Sequence, residues 1–338
     1  MFSYPRQFLY HNKESGVGCM ATEKGIEHIN HTIPPKKKGR RMKLIKRDLW
    51  LYLLLIPGIV YFLLFKYLPM WGVALAFKNY SPFLGFWKSD WVGFEHFINF
   101  FGNPDFFRLL RNTLLLALYD IIFFFPAPII LALLLNEIRI NMYKRTIQTL
   151  VYIPHFMSWV IIASISYVFL TTSGGAINAI VEAITGQKIA FLQETGWFRT
   201  IIIGQVIWKE TGWGTVIFLA ALAGVSSEQY EAAIVDGAGR FRRLWHVTLP
   251  ALRSTIVILL ILRLGNFLDT GFQQIYLMTN SLNREVADVF DTYVYFMGIT
   301  QGAFSYSTAV GLFKAVVGII LIYGSNWFAK RMGQTGFF

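Results

Sequence analysis

The sequence has 338 residues, 55% apolar, 17% aromatic and 15% charged, with a mean hydropathy of +0.48. That balance excludes a water-soluble globular domain, whose charged share is about a quarter, and a disordered chain, which would be poor in large apolar residues. The net charge of +12 is unevenly placed, and the single cysteine, Cys19, excludes an internal disulfide, while no Cys/His cluster has zinc-site spacing.

Residues 1–41 form a polar, basic N-terminal tail with no helical or strand period, and disorder is the expectation for them. Up to residue 47 the chain holds eleven Lys/Arg against Glu14, Glu23 and Glu27, for +8, and the remainder carries +4. Because the basic run stops where a long apolar stretch begins, it reads as a membrane-topology signal and not as a nucleic-acid face. No apolar run precedes Cys19, so a lipoprotein signal is rejected, and Met42 is a second possible start just before the first apolar stretch.

Residues 42–338 read as one membrane domain. A helix needs about 20 apolar residues to cross a bilayer, and six stretches qualify: 49–68, 112–135, 149–171, 199–222, 251–275 and 308–329. The first has no small-residue cleavage site, so it is a retained span. Cytoplasmic loops keep Lys and Arg. Arg139, Lys144 and Arg145, then Arg240, Arg242 and Arg243, then Lys330 and Arg331 fall on the side of the N-terminus, which predicts that both termini are cytoplasmic. The segment 69–111, with Lys78, Lys88, Arg108 and Arg111, fits this rule less well, although Trp71, Trp87 and Trp91 suit an outer interface.

The loop 224–250 between spans four and five has the most information. Ser226 followed by Gln229 is a capping box, and Tyr230, Ala233, Ile234, Ala238 and Phe241 lie on one helical stripe, which predicts a short amphipathic helix over about 227–243. Such a helix would ordinarily lie on lipid. Here Ala232, Ala233, Gly237, Ala238 and Gly239 make it small enough for another protein to approach closely, and each glycine costs about 1 kcal/mol in a helix, so a bend or a contact is expected there. Pro250 opens span five where its missing amide does no harm.

Glu231-Ala232-Ala233, three residues, Gly237, nine residues, Val247, one residue, Leu249-Pro250 resembles the EAA loop of ABC importer permeases, with Val where Ile is usual. The segments 67–72, 76–80, 125–129, 153–159, 208–214 and 304–308 are similar to LplB-like, MalF-type permeases of carbohydrate importers, and the likeness runs from about residue 44 to the C-terminus. The resemblance implies an all-α membrane protein with six transmembrane helices, the type I ABC importer permease fold and a cytoplasmic coupling helix. It implies that Glu231, Ala232, Ala233, Asp236, Gly237, Ala238, Arg240, Leu249 and Pro250 meet an ATP-binding subunit. The partners it implies are a second, homologous permease, two ATP-binding subunits, an extracytoplasmic solute-binding protein, an oligosaccharide substrate and the lipid of the bacterial cell membrane. ATP and Mg would belong to the partners, and no cofactor is expected on this chain, which has no G-x-x-x-x-G-K-S/T phosphate loop.

Ionisable residues inside spans face the bundle interior, water or a partner. Asp120, Lys209, Glu210, Arg263, Asp269 and Lys314 are the candidates, with Arg263 and Lys314 expected to pair. Lys209 and Glu210, between Trp208 and Trp213, are expected to interrupt the fourth helix together with Gly212 and Gly214. Sugars are held by amide, carboxylate and hydroxyl groups and by aromatic faces. Asn266, Asp269, Gln273, Gln274 and Tyr276 have that character and are the candidate substrate pathway. Near-helical spacing would put all but Gln274 on one face, with helix-to-helix hydrogen bonding as the alternative. His155 has no carboxylate at i±3 or i±4 and is expected to be an interhelical polar group, and Phe123–Phe125 before Pro126 and Pro128 predicts a kink. Motifs such as H-E-x-x-H and G-x-S-x-G are missing, which argues for translocation and not catalysis. A secondary transporter or a channel subunit is the competing reading.

Overall fold

The computed structural model describes residues 48–331 and 333, so the basic tail 1–41 and the start at Met42 lie outside the described residues. The chain divides into two compact units, Met1–Leu63 and Leu64–Phe338. In the first, the described residues form the helix Leu49–Phe62, none of whose residues is buried. Being apolar all round, it has no polar face to turn toward water.

Among the described residues, five helical stretches are long and apolar enough to cross a membrane: Leu49–Phe77, Asp105–Glu137, Thr195–Ala223, Arg240–Gly265 and Phe304–Arg331. A sixth is a broken pair, Asn141–Phe156 and Trp159–Leu170, bent by 101°. In chain order these are spans one to six, the broken pair being span three.

Three departures from the expected helices have identifiable causes. Span three is not one helix over 149–171. Pro154 has no amide to give, residues Ile153–Phe156 tighten into a 3-10 turn, and Met157 and Ser158 are extended. Ser158 then caps the second half by accepting the Ile161 amide at 3.3 Å. Span five stops at Gly265 instead of running to residue 275. The chain leaves the helix at Asn266, passes through Gly271 at φ +85° and resumes as the short helix Phe272–Met278. Span four, by contrast, is a continuous helix of 29 residues and is not interrupted at 209–214. Its glycines serve packing. A Cβ on Gly212 would sit 1.9 Å from the Val151 carbonyl oxygen of span three, and one on Gly214 would sit 2.9 Å from Pro128 of span two. Small residues of this kind let helix backbones approach in lipid.

Span four is the hub. Phe198, Ile202, Gln205, Lys209, Gly212, Thr215, Phe218 and Leu222 are buried along it at intervals of three and four, one stripe of a helix. Around its first half, Phe198 and Ile202 pack with Leu116, Ala163, Ile275 and Met278. Around its last half, Phe218 and Leu222 pack with Ala132 of span two and Leu252 of span five. In span two a π-helical turn, Asp120–Phe124, precedes Pro126 where a kink is expected, and the stretch Asp105–Glu137 still runs as one span. The Pro128 carbonyl accepts from Thr215 Oγ1 of span four at 3.3 Å.

The segment between spans one and two forms a two-stranded hairpin, Lys78–Asn79 against Asp90–Trp91, antiparallel. Two cations of the stretch 69–111 are engaged internally. Lys78 Nζ donates to the Phe86 carbonyl at 2.7 Å, and Arg108 pairs with Asp105 at 3.1 Å and Asp288 at 3.5 Å.

Candidate functional site

Two regions have functional geometry. The first is the loop between spans four and five. Ser226 caps the helix Ser227–Val235, its hydroxyl accepting the Glu228 amide at 3.2 Å. The amide it takes is one residue short of the Gln229 expected for a capping box. The helix does not continue through Phe241. It ends at Asp236, and Gly237 adopts φ +74°. The Ala238 amide donates to the Ala233 carbonyl at 2.8 Å and the Gly237 amide to the Ile234 carbonyl at 3.0 Å, the paired bonds of a left-handed helix stop. A Cβ on Gly237 would meet nothing within 4 Å, so the backbone angle, not space, asks for glycine. Arg240 then begins the helical run that leads into span five.

The result is a knuckle. Glu231, Ala232, Asp236, Gly237, Arg240 and Pro250 are exposed, while Ala233, Ala238 and Leu249 are half-buried. Its tip is apolar: Ile234, Val235, Phe241 and Trp245 are exposed, Val235 at 87%. The knuckle is tied to the foot of span five, because the Tyr230 and Thr248 hydroxyls lie 3.2 Å apart and Leu249-Pro250 open the α-helix Leu249–Gly265 directly after Thr248.

The second region is a cavity of about 230 Å³ among spans two to five. It is lined by charged groups that are already paired. Arg263 forms a two-pronged bond with Asp120, Nε to Oδ2 at 2.6 Å and Nη2 to Oδ1 at 2.5 Å, and its guanidinium lies 5.2 Å from the Phe124 ring centre. Glu210 Oε2 is 2.8 Å from His155 Nδ1, and the His155 ring stacks on Trp213 at 4.6 Å. His155 is therefore an interhelical polar group, with its carboxylate on another span. Trp159 also lines the cavity. Asp269 accepts from Lys314 at 3.1 Å, and Lys314 also binds Asp291, so both spans' cations have partners.

Of the sequence-derived pathway residues, Asn266, Asp269 and Gln274 reach this cavity and Gln273 and Tyr276 do not. The shared helical face expected for Asn266, Asp269, Gln273 and Tyr276 does not exist, because the helix ends at Gly265. Gln274, 1% exposed, donates to the Ile202 carbonyl and to Gln205 Oε1, both at 2.8 Å, which is the helix-to-helix alternative. Gln273 is exposed. Tyr276 stacks on Phe272 at 5.4 Å and meets Tyr295 at 5.2 Å. Asp120, Trp159, Glu210 and Arg263 are lining groups that no sugar-like local cluster marked.

Chemically, the carboxylates and the Asn266 amide can accept from hydroxyls, the outer edge of the guanidinium can donate, and Trp159 offers an apolar ring. Between spans five and six, burial pushes the Asp288 carboxyl above the ordinary carboxylate range, against the opposing pull of Arg284 and Arg108.

Residues 101–334 match the family described as binding-protein-dependent transport system inner membrane component. Protein LplB of Bacillus subtilis (strain 168) is 69% identical over 297 residues, 88% of this chain and 93% of that protein. The polygalacturonan/rhamnogalacturonan transport system permease protein YteP of the same organism is 55% identical over 305 residues, 90% of this chain and 95% of that protein. A chain in the crystal structure of a bacterial alginate ABC transporter, in complex with its alginate pentasaccharide-bound periplasmic protein, superposes with a TM-score of 0.81 at 40% identity, covering 88% of this chain and 99% of that one.

Proposed function

This chain belongs to the family of inner membrane components of binding-protein-dependent transport systems, and from that premise we propose that it is the permease subunit of an ATP-driven (ABC) importer for oligosaccharides or polysaccharide fragments. It is a multi-pass membrane protein, with both termini assigned to the cytoplasm. It works beside a second, homologous permease, two ATP-binding subunits that hold ATP and Mg, and an extracytoplasmic solute-binding protein. The sugar assignment draws on two relatives whose names specify polygalacturonan/rhamnogalacturonan and alginate.

The observation that carries the coupling role is the knuckle at 227–238, a capped helix with an exposed apolar tip set between two spans. Glu231, Ala232, Ala233, Asp236, Gly237, Ala238, Arg240, Leu249 and Pro250 are its proposed contact set for an ATP-binding subunit. Movement of the knuckle as the nucleotide-binding pair closes is passed through Tyr230 and Thr248 to span five. The far end of span five carries Arg263 and Asn266 at the cavity wall. A bistable packing of this kind can turn a small displacement at one end into opening at the other. Asn266, Asp269 and Gln274, with Asp120, Glu210 and Arg263, form this chain's part of the sugar pathway, while Gln273 and Tyr276 lie outside the cavity.

The test is reconstitution of the whole importer in lipid. Loaded binding protein should stimulate ATP hydrolysis only when this chain is present, and the purified chain alone should hydrolyse none. Hydrolysis by the chain itself, or stimulation in its absence, would overturn the reading.

A further inference from the structure

Lys209 is a lysine in the middle of a transmembrane helix, fourteen residues from Thr195 and fourteen from Ala223, or about 21 Å from either end. It is buried, 6% exposed. A charge at that depth is held only where it finds strong partners. Its partners are unusual, being backbone carbonyls and not chiefly a carboxylate. Nζ donates to the His155 carbonyl at 2.5 Å and to the Met157 carbonyl at 2.7 Å, while the nearest carboxylate oxygen, on Glu210, is 3.7 Å away.

Those two carbonyls belong to the elbow of span three. In an unbroken helix they would accept from the amides of Trp159 and Ile161. The 101° bend ends that run, and the Ile161 amide goes to the Ser158 hydroxyl instead. Where no water can reach it, an orphaned carbonyl is costly. The ammonium therefore supplies the donors that the bend removes, and it does so at the negative end of a helix dipole. Lysine and elbow satisfy one another. Next to it, Glu210 holds His155, another elbow residue, at 2.8 Å.

The consequence is felt at the first residue past the elbow. Trp159 begins the second half of span three and lines the cavity, and the Lys209 ammonium lies 5.5 Å from the centre of its ring. We propose that Lys209 is a positioning residue for the translocation pathway: by bonding the elbow carbonyls it sets Trp159 as an aromatic face in the cavity, beside the hydroxyl-accepting carboxylate of Glu210. This rests on the reading of the cavity as a sugar pathway.

The experiment is fluorine NMR of the complete importer in nanodiscs, with 5-fluorotryptophan in this chain and the Trp159 signal identified by its loss in Trp159→Phe. Lys209→Met keeps the length and removes both charge and donors. It should move the Trp159 signal in the absence of sugar and nucleotide while leaving that of Trp327, near the end of span six, in place, and Lys209→Arg should return it. A Trp159 signal that stays at its wild-type position, or movement spread equally over all the tryptophans, would overturn the proposal. Should Lys209→Met fail to assemble, Lys209→Gln, which keeps a polar side chain but is too short to hold both elbow carbonyls, is read by the same signal and should move it likewise. Because this shift is read without sugar, it stands apart from the pathway reading. That reading is tested separately by whether sugar-loaded binding protein moves the wild-type Trp159 signal.

Discussion

Gly237 offers the sharpest perturbation of the coupling loop, because its environment separates two effects that glycine substitutions usually mix. Its φ of +74° is a left-handed conformation that costs an L-residue about 1–2 kcal/mol, whereas a Cβ there would touch nothing in this chain within 4 Å. Gly237→Ala therefore adds backbone strain and no internal clash. At about 1.4 kcal/mol per tenfold, the capped knuckle would lose roughly 5- to 30-fold of its population relative to an uncapped form, which sets the upper bound of the functional loss. Asparagine tolerates left-handed angles. The expected order of stimulated ATP hydrolysis in the reconstituted importer is wild type, then Gly237→Asn, then Gly237→Ala, with Gly237→Val lowest because a β-branched residue fits that region worst. Membrane insertion should be unchanged in all three. Wild-type stimulation in Gly237→Ala and Gly237→Val would show that the left-handed stop plays no part in coupling. An asparagine variant as poor as valine would show that bulk against a partner, and not the backbone angle, is what matters.

Other expectations concern the spans and the segment after span five. Gly212→Ala would drive a Cβ into the Val151 backbone at 1.9 Å and should cost about 1–3 kcal/mol, seen as a lower melting temperature in detergent. Gly204→Ala, with nothing within 4 Å, should be neutral or stabilising by up to about 1 kcal/mol, and equal effects at the two sites would contradict the packing described. Asp120→Asn and Arg263→Gln should each destabilise, while the double variant recovers about 1 kcal/mol of coupling, a modest figure because the arginine is 42% exposed; strictly additive losses would remove the pair from the account. Asp288 retains its proton to higher pH in the folded chain than when unfolded. Its contribution is thus present below the ordinary aspartate range near about 4 and is lost as pH rises through its raised native value. The melting temperature of Asp288→Asn minus that of wild type should become more positive between about pH 4 and pH 7, and a flat or falling difference would sink the assignment.

Much of the architecture can be read from apolar length alone, since each of the six expected spans overlaps a long or broken helical stretch. What escapes that reading is where helices bend. Pro154 sits inside an apolar run that looks continuous, and the ends of span five look continuous too until Gly271 takes its positive φ. The near-helical spacing of Asn266, Asp269, Gln273 and Tyr276 misled for this reason. Partners of charges also escape a local search, because His155 and Glu210 are 55 residues apart and Asp120 and Arg263 are 143 apart. The buried stripe of span four is invisible in the sequence, since its other face, turned from the protein core, is nearly as apolar. In the knuckle, the small residues and the bend at Gly237 were legible, while the helical stripe drawn on to Phe241 overran a stop that only the backbone angle reveals.

In the proposed importer the ATP-binding subunit grips the knuckle from the cytoplasmic side. Val235, 87% exposed at its tip, is the place to ask. A photo-crosslinking residue at 235 in the assembled importer should give a covalent product with an ATP-binding subunit whose yield changes between nucleotide-free and ATP-bound states. Crosslinking to lipid alone, or to the extracytoplasmic binding protein, would contradict it.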